Sequence, residues 1–163
     1  MFPEKTVTEL AQVLGQKLTQ AGLVLCTAES CTGGGVAYAI TEISGSSQWF
    51  DRSFITYSNN AKNEMLDVDL DLINEFGAVS KEVVNAMATG AVKNSNADIS
   101  VAISGIAGPN GGSQEKPVGT VCIAWYYGQH KCKSETFLFT GDRAKIRLRA
   151  IKATLLGLLK ELE

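Results

Sequence analysis

The sequence predicts a three-layer α/β/α sandwich with a mixed sheet, and three observations carry that expectation. Through the first two thirds of the chain, apolar residues at helical spacing alternate with short continuous apolar runs. That is the pattern of helices covering both faces of a buried, largely parallel sheet. Two of the runs, LVLCTA and ISVAIS, lead into glycine-rich loops, and open α/β sheets bind ligands at such strand ends. Late in the chain VGTVCIAWYY and KCKSETFLFT flank a short turn, an antiparallel hairpin that would close the sheet.

The elements follow in order. Val7, Leu10, Leu14 and Leu18 recur at three and four and mark a first helix, ended by Gly22. LVLCTA is a buried strand, ESCTGGG a loop, and VAYAITEI a helix expected to start near Gly33. WFDRSFITYS reads as a strand and NNAKNEMLDV as the next helix. Ser80 is placed to cap a helix over 81–93. ISVAIS is a second buried strand, followed by the loop GIAGPNGGSQEKP and then the hairpin, with His130 at its tip. Asp142 can cap a last amphipathic helix whose buried stripe includes Ile151, Leu155, Leu158, Leu159 and Leu162. No repeat, linker or low-complexity stretch interrupts the 163 residues, so one domain over 1–163 is expected.

Composition removes several function classes. Fifteen Lys and Arg against 17 Asp and Glu, with no basic block, disfavour nucleic acid as the main partner. No apolar stretch approaches the length of a bilayer span, and the charged N-terminus lacks a secretory core. A soluble cytoplasmic protein is the expectation. Cys26, Cys31, Cys122 and Cys132 form no CxxC pair, and with one histidine no zinc set is credible. Cys26 and Cys122 sit in strand-like runs and read as small core hydrophobes. A hydrolase here would need a base other than histidine.

The two glycine-rich loops are expected to face each other across one pocket. Ser30 lies between a buried strand and a helix start, where unpaired backbone N–H groups are available. A nucleophile and an oxyanion hole within a few residues is one reading. A simple helix cap by Ser30 or Thr32 is another. Gly33 to Gly35 would let substrate and backbone approach closely. Cys31 competes with Ser30 as nucleophile, since a thiol is the stronger one at neutral pH. Lys62, at a helix start, could if desolvated serve as a neutral amine base with Tyr57 beside it. Taken singly, Lys62 is as readily a solvated surface lysine and Tyr57 a half-buried strand residue. Arg143 could clamp a phosphate or carboxylate or make a surface salt bridge. Ser104 and Gly105 could line the pocket or form a structural turn.

Taken jointly, the loops carry more. The runs TAESCTGG, GSSQWFDRSFITYSNNAK, GAVS, ISGIAGPNGGSQEKPVGTV and FTGDRAKIR span nearly the whole chain. Together they resemble the stand-alone CinA C-terminal domain family, the nicotinamide-nucleotide amidohydrolases or NMN deamidases. The resemblance implies hydrolysis of the carboxamide of nicotinamide mononucleotide (NMN) to nicotinate mononucleotide and ammonia, in bacterial pyridine-nucleotide salvage. It implies a metal-independent serine mechanism needing no cofactor. The family's catalytic serine, tyrosine and lysine fall on Ser30, Tyr57 and Lys62. Substrate and oxyanion contacts are expected from Cys31, Thr32, Gly33, Gly34, Ser104, Gly105 and Arg143, and a homodimer from family analogy. Some members carry an additional N-terminal pyrophosphatase domain, whose activity is not expected of this chain. Two rival functions stand beside this one: a non-catalytic nucleotide-binding or interaction module linked to competence or DNA damage, and a different hydrolase using Cys31.

Overall fold

The structure is a computed structural model that describes residues 2–129 and 131–163. The hairpin-tip position of His130 lies outside the described residues. Helix α1 (Val7–Ala21) starts at a capping box, in which Thr6 accepts from the Glu9 N–H and the Glu9 carboxylate reaches back to the Thr6 N–H, and ends at Gly22 in the left-handed region. Strand β1 (Leu25–Glu29) follows, entirely buried, then α2 (Gly35–Thr41). Helix α2 starts at Gly35 rather than near Gly33, because Gly33 and Gly34 take positive φ values of 58° and 93°.

A short 3-10 turn (Ser46–Gln48) leads into β2 (Phe50–Ile55). The predicted helix 59–68 is shorter than expected: α3 (Asn59–Leu66) stops where Asp67 turns left-handed, and a separate α4 (Leu70–Phe76), not anticipated, follows. Helix α5 (Lys81–Lys93) is capped by Ser80, which accepts from the Val83 N–H, as its sequence position suggests. Strands β3 (Ile99–Gly105), β4 (Thr120–Tyr126) and β5 (Cys132–Leu138) complete the sheet, and α6 (Arg143–Glu161) is capped by Asp142. Leu155, Leu158 and Leu159 of α6 are buried, while Ile151 and Leu162 of the expected stripe are half-buried.

The strand order is β2-β1-β3-β4-β5, with β2, β1 and β3 parallel and β4 antiparallel to both its neighbours. This is the mixed sheet of the sequence reading. Alternation along the strands divides two cores. Leu25, Val101, Ile103, Val121, Ile123 and Trp125 face α1, α2 and α6. The smaller Cys26, Ala28, Ala102, Cys122 and Ala124 face α3 to α5, where Val84, Met87, Ala88 and Ala91 of α5 lie close against the strands.

The topology decides where a site can form. From β1 the chain crosses by α2 to β2 on one side, whereas β3, reached through α3 to α5, pairs on the other. The loops after β1 and β3 therefore diverge at the strands' carboxyl ends and leave a crevice between them.

Candidate active site

A cavity of about 280 Å³ fills that crevice, close to the small end of ligand-site volumes. Ser30, Cys31, Tyr57, Lys62, Ser104, Gly105 and Arg143 all line it. The expectation that both glycine-rich loops face one pocket holds, with 106–108, Asn110 and Gly111 from the second loop. Asn59, Ala78 and Val79 also line it and were not singled out from the sequence.

Ser30 continues β1 by one residue, its N–H bonded to the Ile103 carbonyl of β3. Pairing of β2 beside β1, extended by the bond from the Thr56 N–H to the Glu29 carbonyl, brings the start of α3 against Ser30. Lys62 sits in the first turn of that helix, only 1% exposed. Its Nζ lies 3.1 Å from Ser30 Oγ, 2.9 Å from the Thr56 carbonyl and 3.3 Å from the Tyr57 carbonyl. Among the described residues no carboxylate pairs with it. Burial pushes the Lys62 ammonium below the usual lysine range. A neutral amine has two N–H groups for the two carbonyls and one lone pair, which the Ser30 hydroxyl can face.

Tyr57 is not a strand residue. It lies past the end of β2, 62% exposed, and its hydroxyl accepts from Arg143 Nη2 at 3.3 Å rather than meeting Ser30 or Lys62. Arg143, the first residue of α6, also donates to the Gly108 carbonyl at 2.8 Å, and among the described residues it makes no salt bridge. Tyr57 and Arg143 thus form one rim of the cavity, bridging the β2 and β3 ends.

The loop 30–34 is arranged differently from the sequence reading. The Thr32 side chain is fully buried and donates to a Glu29 oxygen at 2.7 Å, so its hydroxyl is not offered to the cavity. Thr32, Gly33 and Gly34 are not among the lining residues. The glycines admit the protein's own side chains rather than a substrate. A Cβ on Gly34 would lie 2.9 Å from Ile55 Cδ1, and one on Gly35 would lie 2.6 Å from Ile151 Cδ1. The Gly33 and Gly35 N–H groups are bonded to the Ser30 and Thr32 carbonyls. Among the described residues neither the Cys31 N–H nor the Thr32 N–H donates to another residue.

Sequence reasoning passed over Glu29. Its carboxylate is completely buried and accepts from the Val36 and Ala37 N–H groups at 2.9 and 3.0 Å, capping α2 from inside the protein. Thr27, Thr32 and Ser53 hydroxyls surround it as well. An acid ending an otherwise apolar run was the available signal, because a fully buried carboxylate needs such donors.

Cys31 lines the cavity, but burial pushes its thiol up to about 11. At neutral pH it stays protonated and is a poor nucleophile. Cys26 and Cys122 are buried in the second core, as their strand positions suggest. Among the described residues no group of three or more His, Cys, Asp and Glu is placed to hold a metal ion, and no helix is long and apolar enough to cross a membrane.

Fold and site together define an open α/β protein whose switch-point cleft holds a buried serine–lysine pair. Comparison with known proteins narrows that class. The chain belongs to the CinA C-terminal domain family, which it matches over residues 7–162. It is 47% identical over 158 residues to the nicotinamide-nucleotide amidohydrolase PncC of Enterobacter agglomerans, covering 97% of this chain and 96% of that one. The protein of the same name from Pseudomonas putida is 49% identical, covering 94% and 96%. Among solved structures, the competence/damage inducible protein CihA of Agrobacterium tumefaciens superposes with a TM-score of 0.95 at 42% identity, covering 100% of this chain and 99% of that one.

Proposed function

We propose that this chain hydrolyses the carboxamide of NMN to nicotinate mononucleotide and ammonia. The names of its full-length relatives support the substrate. The observation that carries the mechanism is the buried Lys62 Nζ, 3.1 Å from Ser30 Oγ and without a carboxylate partner among the described residues.

In this reading neutral Lys62 takes the Ser30 proton directly, because the Tyr57 hydroxyl is turned toward Arg143. Ser30 Oγ bonds to the amide carbon, and the carbonyl electron pair moves onto oxygen. Backbone N–H groups of Cys31 and Thr32 are the donors for that oxyanion. Protonated Lys62 then returns its proton to the amide nitrogen, the C–N bond breaks, and ammonia leaves. Water gives a proton to Lys62 and attacks the acyl carbon; the C–Oγ bond then breaks, nicotinate mononucleotide leaves, and Lys62 returns that proton to Ser30 Oγ. Amide nitrogen leaves poorly unless protonated, so a base of lowered pKa serves both halves of the cycle. Arg143 and Tyr57 on the rim are the phosphate-side contacts, while Ser104 and Gly105 form the opposite wall. No metal or cofactor takes part in the proposed steps. A cytoplasmic homodimer completes the proposal.

The test is ammonia and nicotinate mononucleotide release from NMN by purified protein, with and without EDTA. Equal release in both conditions is expected. Binding of NMN in calorimetry without any release would replace this proposal with a non-catalytic module.

A further inference from the structure

We propose that Arg147 is a positioning residue for the reaction, setting the backbone that follows the nucleophile without touching the substrate. The proposal rests on the amidohydrolase reading, and its observations lie outside the serine–lysine pair. Arg147 projects from α6 and is not among the cavity-lining residues. Its Nε donates to the Cys31 carbonyl at 3.1 Å and its Nη2 to the Thr32 carbonyl at 3.2 Å. Among the described residues it has no acidic partner. A half-buried guanidinium is therefore committed to two consecutive backbone carbonyls immediately after Ser30.

Peptide planarity gives that commitment a consequence. In a trans peptide the C=O and the following N–H point in opposite directions, so a bond that fixes one fixes the other. The Gly33 N–H holds the Ser30 carbonyl at 3.0 Å and so orients the Cys31 N–H. Arg147 Nε holds the Cys31 carbonyl and so orients the Thr32 N–H. Arg147 Nη2 holds the next plane, between Thr32 and Gly33. Three successive planes after the nucleophile are thus pinned: Arg147 alone holds the Cys31 carbonyl, and it shares the Thr32 carbonyl with the Gly35 N–H at 2.9 Å.

The opposite side of the loop is fixed by Glu29, which receives the Thr32 hydroxyl and the first N–H groups of α2. A buried anion draws donors one way while a guanidinium draws carbonyls the other. The Cys31 and Thr32 N–H groups, neither of which donates to another residue among the described ones, are held between them. Arg147 thereby presets the donors on which oxyanion stabilisation depends. Lysine cannot reproduce this arrangement, since one ammonium lacks the planar fork that spans two carbonyls.

The test compares wild type, Arg147→Ala and Arg147→Lys for NMN turnover, and for the rate at which a fluorophosphonate probe labels Ser30. Misplacement by a fraction of an ångström predicts a kcat about 10²-fold lower in Arg147→Ala with KM within about threefold. Arg147→Lys falls between the two, free guanidinium restores much of the lost kcat, and probe labelling slows in parallel. A kcat within about threefold of wild type, or a loss that appears in KM and ignores guanidinium, overturns the proposal. If wild type is inert toward NMN, the amidohydrolase reading fails separately. The probe rate then decides alone: slower labelling of Ser30 in the variants supports Arg147 as positioning, and unchanged labelling overturns it.

Discussion

At the residue scale the chemistry turns on how weakly Lys62 holds its proton. Desolvation disfavours the ammonium, and the two carbonyls and one hydroxyl around Nζ do not replace a counter-charge. Since the neutral amine is the reactive form, kcat/KM for NMN should rise with pH through the lowered Lys62 pKa and level off above it. A profile whose acid limb lies at or above pH 10 would place Lys62 outside the role of base. Ser30, Tyr57, Lys62 and Arg143 were legible because their residue types and motif spacing carried the signal. Their partners were not. Nothing local tells that the Tyr57 hydroxyl meets Arg143, 86 positions away, because that contact exists only once β2 and α6 are placed. Glu29 and Arg147 were hidden for a related reason: each acts on backbone groups, and backbone groups leave no residue-type signature.

At the element scale the triple glycine 33–35 is a joint between β1 and α2 that lets β2 and α6 close on the loop. Gly34 combines a φ of 93° with Ile55 only 2.9 Å from a would-be Cβ. Gly34→Ala should destabilise the protein by about 1–3 kcal/mol in urea unfolding, from strain at a backbone conformation that favours glycine. A change below about 0.5 kcal/mol would mean the joint tolerates a side chain. The long elements were readable: α1, α5 and α6 have apolar periodicity over several turns and capping residues at their starts. The short ones were less so. Helix α4 has seven residues and one buried side chain, Ile73, too little for a periodic pattern to emerge. Where α2 begins was also misplaced, because glycines permit a left-handed turn that the sequence does not distinguish from a helix start.

At the scale of the whole molecule, a mixed sheet with its switch between β1 and β3 turns two separate glycine-rich loops into one cavity. The fold class followed from alternating patterns that act over the whole chain, which is why it was readable when side-chain partners were not. Holding a lysine in that cavity has a cost to stability. In the folded chain Lys62 binds its proton less tightly than in the unfolded chain, so folding favours its release. Stability from this group therefore rises as pH climbs from the lowered folded value toward the unfolded one near 10.5. Lys62→Met removes the group, so it should lose turnover yet melt above wild type at neutral pH, with the gap narrowing toward pH 10. A gap that stays constant or widens across thermal melts would contradict the assignment.

The most direct measurement compares initial rates of ammonia release from NMN by wild type, Ser30→Ala and Cys31→Ala. Ser30 as nucleophile predicts a loss of at least about 10³-fold in Ser30→Ala. Cys31, a protonated thiol contributing its backbone, predicts a rate within about tenfold of wild type in Cys31→Ala. Retained turnover in Ser30→Ala with loss in Cys31→Ala would contradict the account and move the nucleophile one residue along the chain.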